Sequence, residues 1–201
     1  MERKKFLIAA SLAAFSVSTF GRVKISNNEF KGDCATTNDI LGPFYRPDAP
    51  TRRDLTYEGL TGSVIELQGR VFKSDCVTPL PNALVEIWHC NTKGEYDNKS
   101  KNFYQRGKWF SKEDGAYTFK TILPGKYLNG ILYRPAHIHF RVTEKNSQEL
   151  ISQIYFQGDP HISKDPWASN KNAELRTLPI TLKDVKGNLA VNFDIFLKDK
   201  Q

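Results

Sequence analysis

The amino-acid sequence predicts an all-β fold, an antiparallel β-sandwich with long irregular loops. Short apolar segments recur after residue 62 and alternate with turn-forming Gly, Pro, Asn and Asp. The 13 Phe and 8 Tyr residues favour strands, and no segment after residue 62 keeps the apolar period of a helix. Strands that follow one another without helices bury their apolar faces by packing as two sheets.

The predicted strands are each followed by a turn sequence. In chain order they are VIELQGRVF, ALVEIWHC, AYTFKTI, AHIHFRV, ELISQIYF, TLPITL and LAVNFDIFL. The last two flank KDVKGN and form the clearest predicted hairpin, because every second residue from 189 to 197 is apolar. The chain has 201 residues and no internal repeat or linker, which indicates a single folded domain.

Two N-terminal segments precede the predicted sandwich domain, which spans residues 63–201. Residues 1–21 begin with three cations at positions 3–5 and continue as a mostly apolar run that is too short to span a bilayer. We interpret them as a signal peptide and expect the mature protein to be exported, periplasmic or extracellular, without a membrane anchor. A buried N-terminal helix is the alternative. Residues 22–62 are rich in Asn, Asp, Thr, Gly and Pro and are predicted to be irregular.

Export changes the expected state of the three cysteines, Cys34, Cys76 and Cys90. In an oxidising compartment a Cys76–Cys90 disulfide would close a loop of about 15 residues and contribute about 3 kcal/mol. Cys34 would then be unpaired. Three buried, reduced thiols are the alternative.

The net charge of the chain is +7, which permits an anionic partner. The basic residues are scattered, however, with no run longer than three and no basic stripe. We therefore expect no nucleic-acid partner. A basic surface that attracts small anionic substrates fits the composition equally well.

Two of the four histidines lie one residue apart in the segment RPAHIHF. Successive side chains of a strand point to opposite faces, so His137 and His139 would share one face. Ile138 and Phe140 would share the other. An ordinary amphipathic strand has the same pattern, and the histidines alone therefore do not establish a metal site.

Two tyrosines adjoin predicted loops, Tyr96 in NTKGEYDN and Tyr127 in LPGKY. Tyrosine is usually a packing residue whose hydroxyl finds one hydrogen-bond partner. As a phenolate it is a hard anionic ligand, and a trivalent cation lowers its pKa far below the usual value of about 10. Two phenolates with two neutral imidazoles suit ferric iron, because the phenolates neutralise most of its charge.

Five segments, in this order, resemble the intradiol ring-cleavage dioxygenases, the non-haem Fe(III) family of catechol, protocatechuate and hydroxyquinol dioxygenases. They are LGPFYRPDAP, PLPNALVEIWHCNTKGEYDN, DGAYTFKTILPGKY, RPAHIHFRV and LISQIYFQGDP. Each segment is a weak signal by itself. Their order over most of residues 40–160 makes the resemblance strong.

The resemblance implies Fe(III) bound by four side chains, Tyr96, Tyr127, His137 and His139. By the same resemblance Tyr127 and His139 are the axial ligands. A basic axial tyrosinate can accept one of the two protons that a catechol loses when it chelates the metal. Tyr127 is therefore both an expected ligand and an expected catalytic residue.

Two further residues match positions near the substrate in this family. Arg134 resembles the arginine close to the bound substrate, and Gln153 resembles the glutamine behind the metal ligands. A guanidinium at Arg134 can stabilise charge that develops on the ring without exchanging protons. The implied reaction is cleavage of a catechol-type diol by O2 to a cis,cis-muconate. We expect the diol and O2 as partners, and a homo-oligomer is compatible with the family.

The chain also departs from the family pattern. Only ten positions separate Tyr127 from His137, which predicts a short connection and an open pocket rim. Tyr133 is a rival to Tyr127 as a ligand, although lining the pocket is the role we favour. His89 and His161 are interpreted as packing or surface residues. The long helical N-terminal segment of the catechol and hydroxyquinol enzymes has no counterpart, so we expect the protocatechuate-type architecture to be the nearer comparison.

Two other hypotheses fit a β-sandwich of this kind. One is a transthyretin-like or carboxypeptidase-associated binding module without chemistry, in which the tyrosines and histidines only pack. The other is a family member that binds iron but has lost turnover. Metal content separates the first from a dioxygenase, and oxygen uptake separates the second.

Overall fold

The computed structural model describes residues 22–26, 29–183 and 188–200, with side chains from residue 34 onward. The predicted signal peptide, residues 1–21, lies outside the described residues. Within the described ranges, no helix has the length and apolar character needed to cross a membrane.

Nearly all regular structure in the described chain is β-strand, and two short 3-10 helices lie between β10 and β11. The strands are β1 (Arg22–Ser26), β2 (Glu29–Asp33), β3 (Val64–Phe72), β4 (Leu84–Trp88), β5 (Arg106–Phe110), β6 (Ala116–Ile122), β7 (Tyr127–Asn129), β8 (Leu132–Arg134), β9 (His137–Thr143), β10 (Leu150–Phe156), β11 (Thr177–Leu178), β12 (Thr181–Leu182), β13 (Leu189–Asn192) and β14 (Ile195–Phe196). The helices are Ile162–Lys164 and Lys171–Arg176.

Ten strands form two five-stranded sheets, which confirms the predicted β-sandwich. The first sheet has the order β11-β10-β9-β4-β5. In the second, β3 is central and pairs with β6, β13 and β14. Apolar side chains from both sheets form one core, in which the rings of Phe140 and Phe193 are 5.4 Å apart. Two short hairpins, β1–β2 and β7–β8, lie outside these sheets.

The predicted C-terminal hairpin forms only in part. β12 and β13 pair antiparallel, but β13 and β14 both run parallel to β3, and the strand is interrupted between them. At this interruption the Phe193 carbonyl lies directly over Gly69, and a Cβ on Gly69 would be 1.9 Å from the carbonyl oxygen of Phe193. That carbonyl accepts a hydrogen bond from Tyr117 Oη at 2.7 Å. The apolar alternation was therefore read correctly, while the pairing direction depends on contacts far away in sequence.

The segment before the sandwich differs from its prediction at its start. Residues 22–62 were expected to be irregular, but β1 and β2 pair as an antiparallel hairpin. From residue 34 to 63 the chain makes only isolated bridges, Thr51 to Lys108 and Asp54 to Lys120. Leu55 of this irregular part is 2% exposed and belongs to the main core.

The Cys76–Cys90 disulfide that the sequence permits does not form. The structure pairs Cys34 with Cys76, with their Cα atoms 5.9 Å apart, and leaves Cys90 as a buried free thiol. Cys90 lies just after β4 and is 0% exposed, whereas Cys76 lies in a partly exposed turn between β3 and β4. Cys90 Sγ instead donates to the Gly125 carbonyl at 3.2 Å.

Candidate metal centre

Strand β9 brings the two neighbouring histidines to one face of its sheet. His137 and His139 are 0% and 1% exposed, with ring centroids 5.0 Å apart. Ile138 and Phe140 point to the opposite side and belong to the main core. The geometry expected from strand alternation is therefore present, with both imidazoles buried.

The hydrogen bonds of His137 fix its tautomer. Its Nδ1 lies 2.7 Å from the Pro135 carbonyl, which only accepts hydrogen bonds, so Nδ1 has the proton and Nε2 has a free lone pair. Nε2 lies 3.3 Å from Tyr96 Oη and 3.5 Å from an Arg134 nitrogen. Burial, followed by the charge of Arg134, lowers the pKa of His137 to about 3. The ring is therefore neutral at neutral pH, as a metal ligand must be.

His139 is held by stacking and close packing. Its ring lies 5.0 Å from that of Trp88, nearly parallel, and Nδ1 is buried without a hydrogen-bond partner among the described residues. A Cβ on Gly42, whose φ is +73°, would lie 2.8 Å from the ring, so only glycine lets this loop approach so closely. Burial and then the neighbouring His137 place the pKa of His139 well below its usual value.

The two tyrosines complete the cluster from separate loops. Tyr96 follows β4 and Tyr127 begins β7, and their rings are 5.8 Å apart at a near-perpendicular angle. Tyr127 is 5.6 Å from the His137 ring, and Tyr96 is 6.3 Å from the His139 ring. Gly94, at φ +81°, allows the two loops to meet, since a Cβ there would be 2.4 Å from the Lys126 carbonyl. Burial, then the nearby Cys90 thiol and Tyr127, raises the pKa of Tyr96 well above its usual value.

The donor set suits a ferric ion. It consists of two neutral imidazoles and two phenols, and a trivalent cation would deprotonate the phenols despite the raised pKa of Tyr96. In the part of the chain that the structure describes, no group of three or more His, Cys, Asp or Glu side chains is placed to bind a metal. A site at this position therefore depends on the phenol oxygens.

Arg134 and Gln153 lie directly behind the cluster. Gln153 of β10 is the cross-strand neighbour of His139, and its Oε1 accepts from Arg134 at 3.0 Å. Gln153 Nε2 donates to the Ile40 carbonyl at 3.1 Å, so its amide is fixed. Arg134 is 2% exposed, and its guanidinium carbon lies 5.9 Å from the centre of the Tyr127 ring.

The structure keeps the remaining aromatic and histidine candidates out of the cluster. Tyr133 is 45% exposed and lies on the other face of the β7–β8 hairpin, beside Lys126 and His161. His89 is buried between the Thr121 hydroxyl and the Cys90 carbonyl, both at 2.7 Å. His161 bonds Lys126 Nζ at 3.2 Å near the surface. His89 and His161 thus have the packing and surface positions expected of them.

Sequence reasoning missed two residues that shape the cluster. Phe44 stacks on Tyr96 at 4.3 Å and meets Tyr127 edge-on at 5.7 Å. Its segment, LGPFYRPDAP, was recognised, and the aromatic side chain there was the available signal. Asp165 forms a buried ion pair with Arg134. A separation of 31 residues leaves no local pattern that could have revealed this pair.

Comparison with known proteins identifies the relatives of the chain. A family model described as Dioxygenase matches residues 40–199. The chain is 31% identical over 196 residues to the chlorocatechol 1,2-dioxygenase of Rhodococcus opacus, which covers 81% of this chain and 72% of that protein. It is 35% identical over 156 residues to a catechol 1,2-dioxygenase of Acinetobacter baylyi, which covers 65% of this chain and 49% of that protein.

A solved structure of similar extent also matches. It is the dioxygenase domain of a dioxygenase carbohydrate-binding protein fusion from Streptomyces sp. SirexAA-E. The TM-score is 0.71 with 28% identity, over 83% of this chain and 99% of that one. This chain therefore spans about half of the Acinetobacter protein (49%) and nearly all of the Streptomyces domain.

Proposed function

Because this chain belongs to the intradiol ring-cleavage dioxygenases, we propose that it cleaves a catechol-type aromatic diol with O2, using Fe(III) held by Tyr96, Tyr127, His137 and His139. The product would be a cis,cis-muconate-type diacid that contains both oxygen atoms. The chemistry supplied by bound Fe(III) would be withdrawal of electron density from the diol, so that its ring reacts with O2.

The observation that supports this proposal most is the convergence of two phenols and two buried, neutral imidazoles. The Nε2 lone pair of His137 faces Tyr96 Oη, 3.3 Å away. The His139 ring is buried beside them, and burial places its pKa well below the usual value. If these side chains only packed against one another, burying their polar atoms would destabilise the fold, because buried polar atoms are normally paired.

Three side chains have roles that follow from their positions. Tyr127 Oη would accept a proton from the incoming diol. Arg134 is a permanent cation beside the cluster and would stabilise negative charge on the ring of the substrate. Gln153 would keep Arg134 and the β9–β10 pair in register, since its Oε1 accepts from Arg134 while its Nε2 donates to the Ile40 carbonyl.

The test is metal loading followed by oxygen uptake. Iron-loaded protein should bind about one iron per chain and absorb in the visible through phenolate-to-iron charge transfer. It should consume O2 with one or more of catechol, protocatechuate, hydroxyquinol and larger catechols. Mass spectrometry with labelled O2 should find both labelled atoms in the product.

The outcomes separate the competing functions. A colourless, iron-free protein after loading would reject the metal centre and favour a binding module. Colour without oxygen uptake on any diol would identify an iron-binding member without turnover.

We also propose that the protein is exported. The pattern of residues 1–21 supports this, and so does the Cys34–Cys76 disulfide, because such bonds persist in oxidising compartments. Cell fractionation and intact-mass measurement should find a chain shortened by about 21 residues outside the cytoplasm. Full-length protein confined to the cytoplasm would contradict this.

A further inference from the structure

The guanidinium of Arg134 is attached to the fold along one edge. Its Nε donates to Asp165 Oδ2 at 2.8 Å, and its NH2 group lies 3.4 Å from Oδ1 of the same carboxylate. NH2 also donates to Gln153 Oε1 at 3.0 Å. The remaining nitrogen, NH1, lies 3.5 Å from His137 Nε2. Because a guanidinium is planar, fixing the Nε–NH2 edge also fixes the direction of NH1.

The carboxylate of Asp165 is itself held by the surrounding loop. Its Oδ1 accepts from the backbone N–H groups of Trp167 at 3.0 Å and Ala168 at 2.7 Å. The Trp167 ring lies 4.5 Å from the guanidinium carbon of Arg134 and covers one of its faces. The side chains of the pair are 3% and 1% exposed. Neither charge can therefore be screened or replaced by bulk water.

We propose that Asp165 is a positioning residue that holds Arg134 with NH1 directed at the substrate region of the metal centre. This inference rests on the proposed function, in which Arg134 faces the diol. The ion pair and the Nε hydrogen bond fix the direction of the guanidinium, at a site where orientation decides how well it stabilises the substrate.

A purely structural role for Asp165 is the competing explanation, and Asp165→Asn separates the two. The amide oxygen can still accept from the Trp167 and Ala168 N–H groups, so the loop keeps its hydrogen bonds. The amide nitrogen then faces Arg134 Nε, donor against donor, so the 2.8 Å hydrogen bond to Nε and the charge of the pair are lost. Asp54→Asn is the matched control, because one oxygen of Asp54 accepts from the Thr56 N–H at 2.9 Å and the other pairs with Lys120 Nζ at 3.2 Å on the exposed surface.

Steady-state oxygen uptake gives the first readout. Asp165→Asn should lower kcat/KM by about 10- to 100-fold, whereas Asp54→Asn should stay within about threefold of the wild type. Arg134→Ala should lower kcat/KM by at least the same factor as Asp165→Asn. The double variant Arg134→Ala/Asp165→Asn should be no worse than Arg134→Ala, since Asp165 then has nothing to hold. Independent losses that multiply, or equal effects of the two Asn variants, would overturn the proposal.

Chemical rescue gives a readout that a structural role would not move. Free guanidinium should restore part of the activity of Arg134→Ala, because Asp165, Gln153 and the Trp167 ring still line the vacated space. Methylammonium should restore less, since it lacks the planar fork. The double variant should not respond to guanidinium, and equal rescue of both variants would overturn the proposal.

A spectroscopic readout is independent of turnover. In 15N-labelled protein loaded with diamagnetic Ga(III) in place of Fe(III), the Arg134 Nε–H signal should be resolved and exchange slowly with water. It should be lost in Asp165→Asn but kept in Asp54→Asn. Asp165→Glu, which retains the charge but moves the carboxylate by one methylene, serves if Asp165→Asn does not fold. Wild-type kcat/KM or an unchanged Nε–H signal in Asp165→Glu would overturn the proposal. A slowly exchanging signal in a protein that cleaves no diol would support the positioning of Arg134 while rejecting the proposed function.

Discussion

The β7–β8 hairpin has two ends in opposite environments. Arg134, at its C-terminal end, is 2% exposed, whereas Ile131 at its turn is 94% exposed. We call the buried polar residues at and beneath the hairpin the floor; they are Arg134 of β8, His137 and His139 of β9, and Gln153 of β10. We call the exposed apolar side the rim, which consists of Leu128, Ile131, Leu132 and Tyr133, each at least 45% exposed.

This is the reverse of the usual distribution, in which apolar side chains are buried and polar ones face water. The hairpin is therefore held by the hydrogen bonds of Arg134 and the ring contacts of Tyr127, and its own apolar side chains contribute little. The short connection expected between Tyr127 and His137 is thus an exposed hairpin that is held by its buried residues, Tyr127 and Arg134. Substitutions should consequently have large effects in the floor and small ones on the rim.

The largest expected effect is in the floor. His139→Ala should remove the visible iron absorption and lower oxygen uptake by more than about 100-fold, because an imidazole ligand cannot be replaced from the surrounding structure. Metal analysis and an oxygen electrode measure both. His161→Ala, at a surface histidine near the rim, is the control and should keep its iron. Iron retained in His139→Ala would contradict the assigned ligand.

The second largest effect should be a loss of unfolding free energy without a loss of kcat/KM, on removal of the Cys34–Cys76 disulfide. Replacing Cys34 and Cys76 by serine removes a bond between residues separated by 42 positions, and the chain-entropy model assigns this about 4 kcal/mol of unfolding free energy. Urea unfolding measures the loss. Dithiothreitol should destabilise the wild type by a similar amount and leave the double variant unchanged. A loss of kcat/KM in still-folded protein would show that the floor depends on this bond.

A smaller effect should appear in the pH dependence of stability. Burial, partly offset by the hydrogen bond with the Cys90 carbonyl, lowers the pKa of His89 from 6.5 to about 4. Between these values the unfolded chain binds a proton that the folded chain does not, so stability falls as the pH falls. From pH 7 to 4.5 the contribution of His89 to this loss should be about 2 to 3 kcal/mol, and His137 and His139 add to it in metal-free protein. His89→Gln should reduce that slope in metal-free protein, and an unchanged slope would contradict this assignment.

The smallest effect should come from the rim. Ile131→Ala should change the unfolding free energy by less than about 0.5 kcal/mol, because its side chain is 94% exposed and buries almost nothing. Ile138→Ala is the matched comparison and should cost about 2 to 5 kcal/mol, since Ile138 is fully buried behind the histidines. Similar losses for the two isoleucines would mean that the rim is covered in solution, which sedimentation would reveal as an oligomer.

The sequence predicted best those features that depend on residues close together in the chain. Alternation along β9 was sufficient to place His137 and His139 on one face, because the side-chain direction in a strand depends only on position. The apolar alternation of residues 189–197 was equally readable. The parallel pairing of β13 and β14 with β3 was not, since it depends on the close approach of Phe193 to Gly69.

The sequence by itself determined the β-sandwich, the resemblance to the dioxygenases and the four candidate ligands, because strand periodicity and ordered motifs are properties of the chain. Only the tertiary structure decided that Cys34 pairs with Cys76 and that Asp165 holds Arg134. Each of these depends on distances between segments that are remote in sequence. Such distances are set by the packing of two sheets and their loops, and no local pattern encodes them.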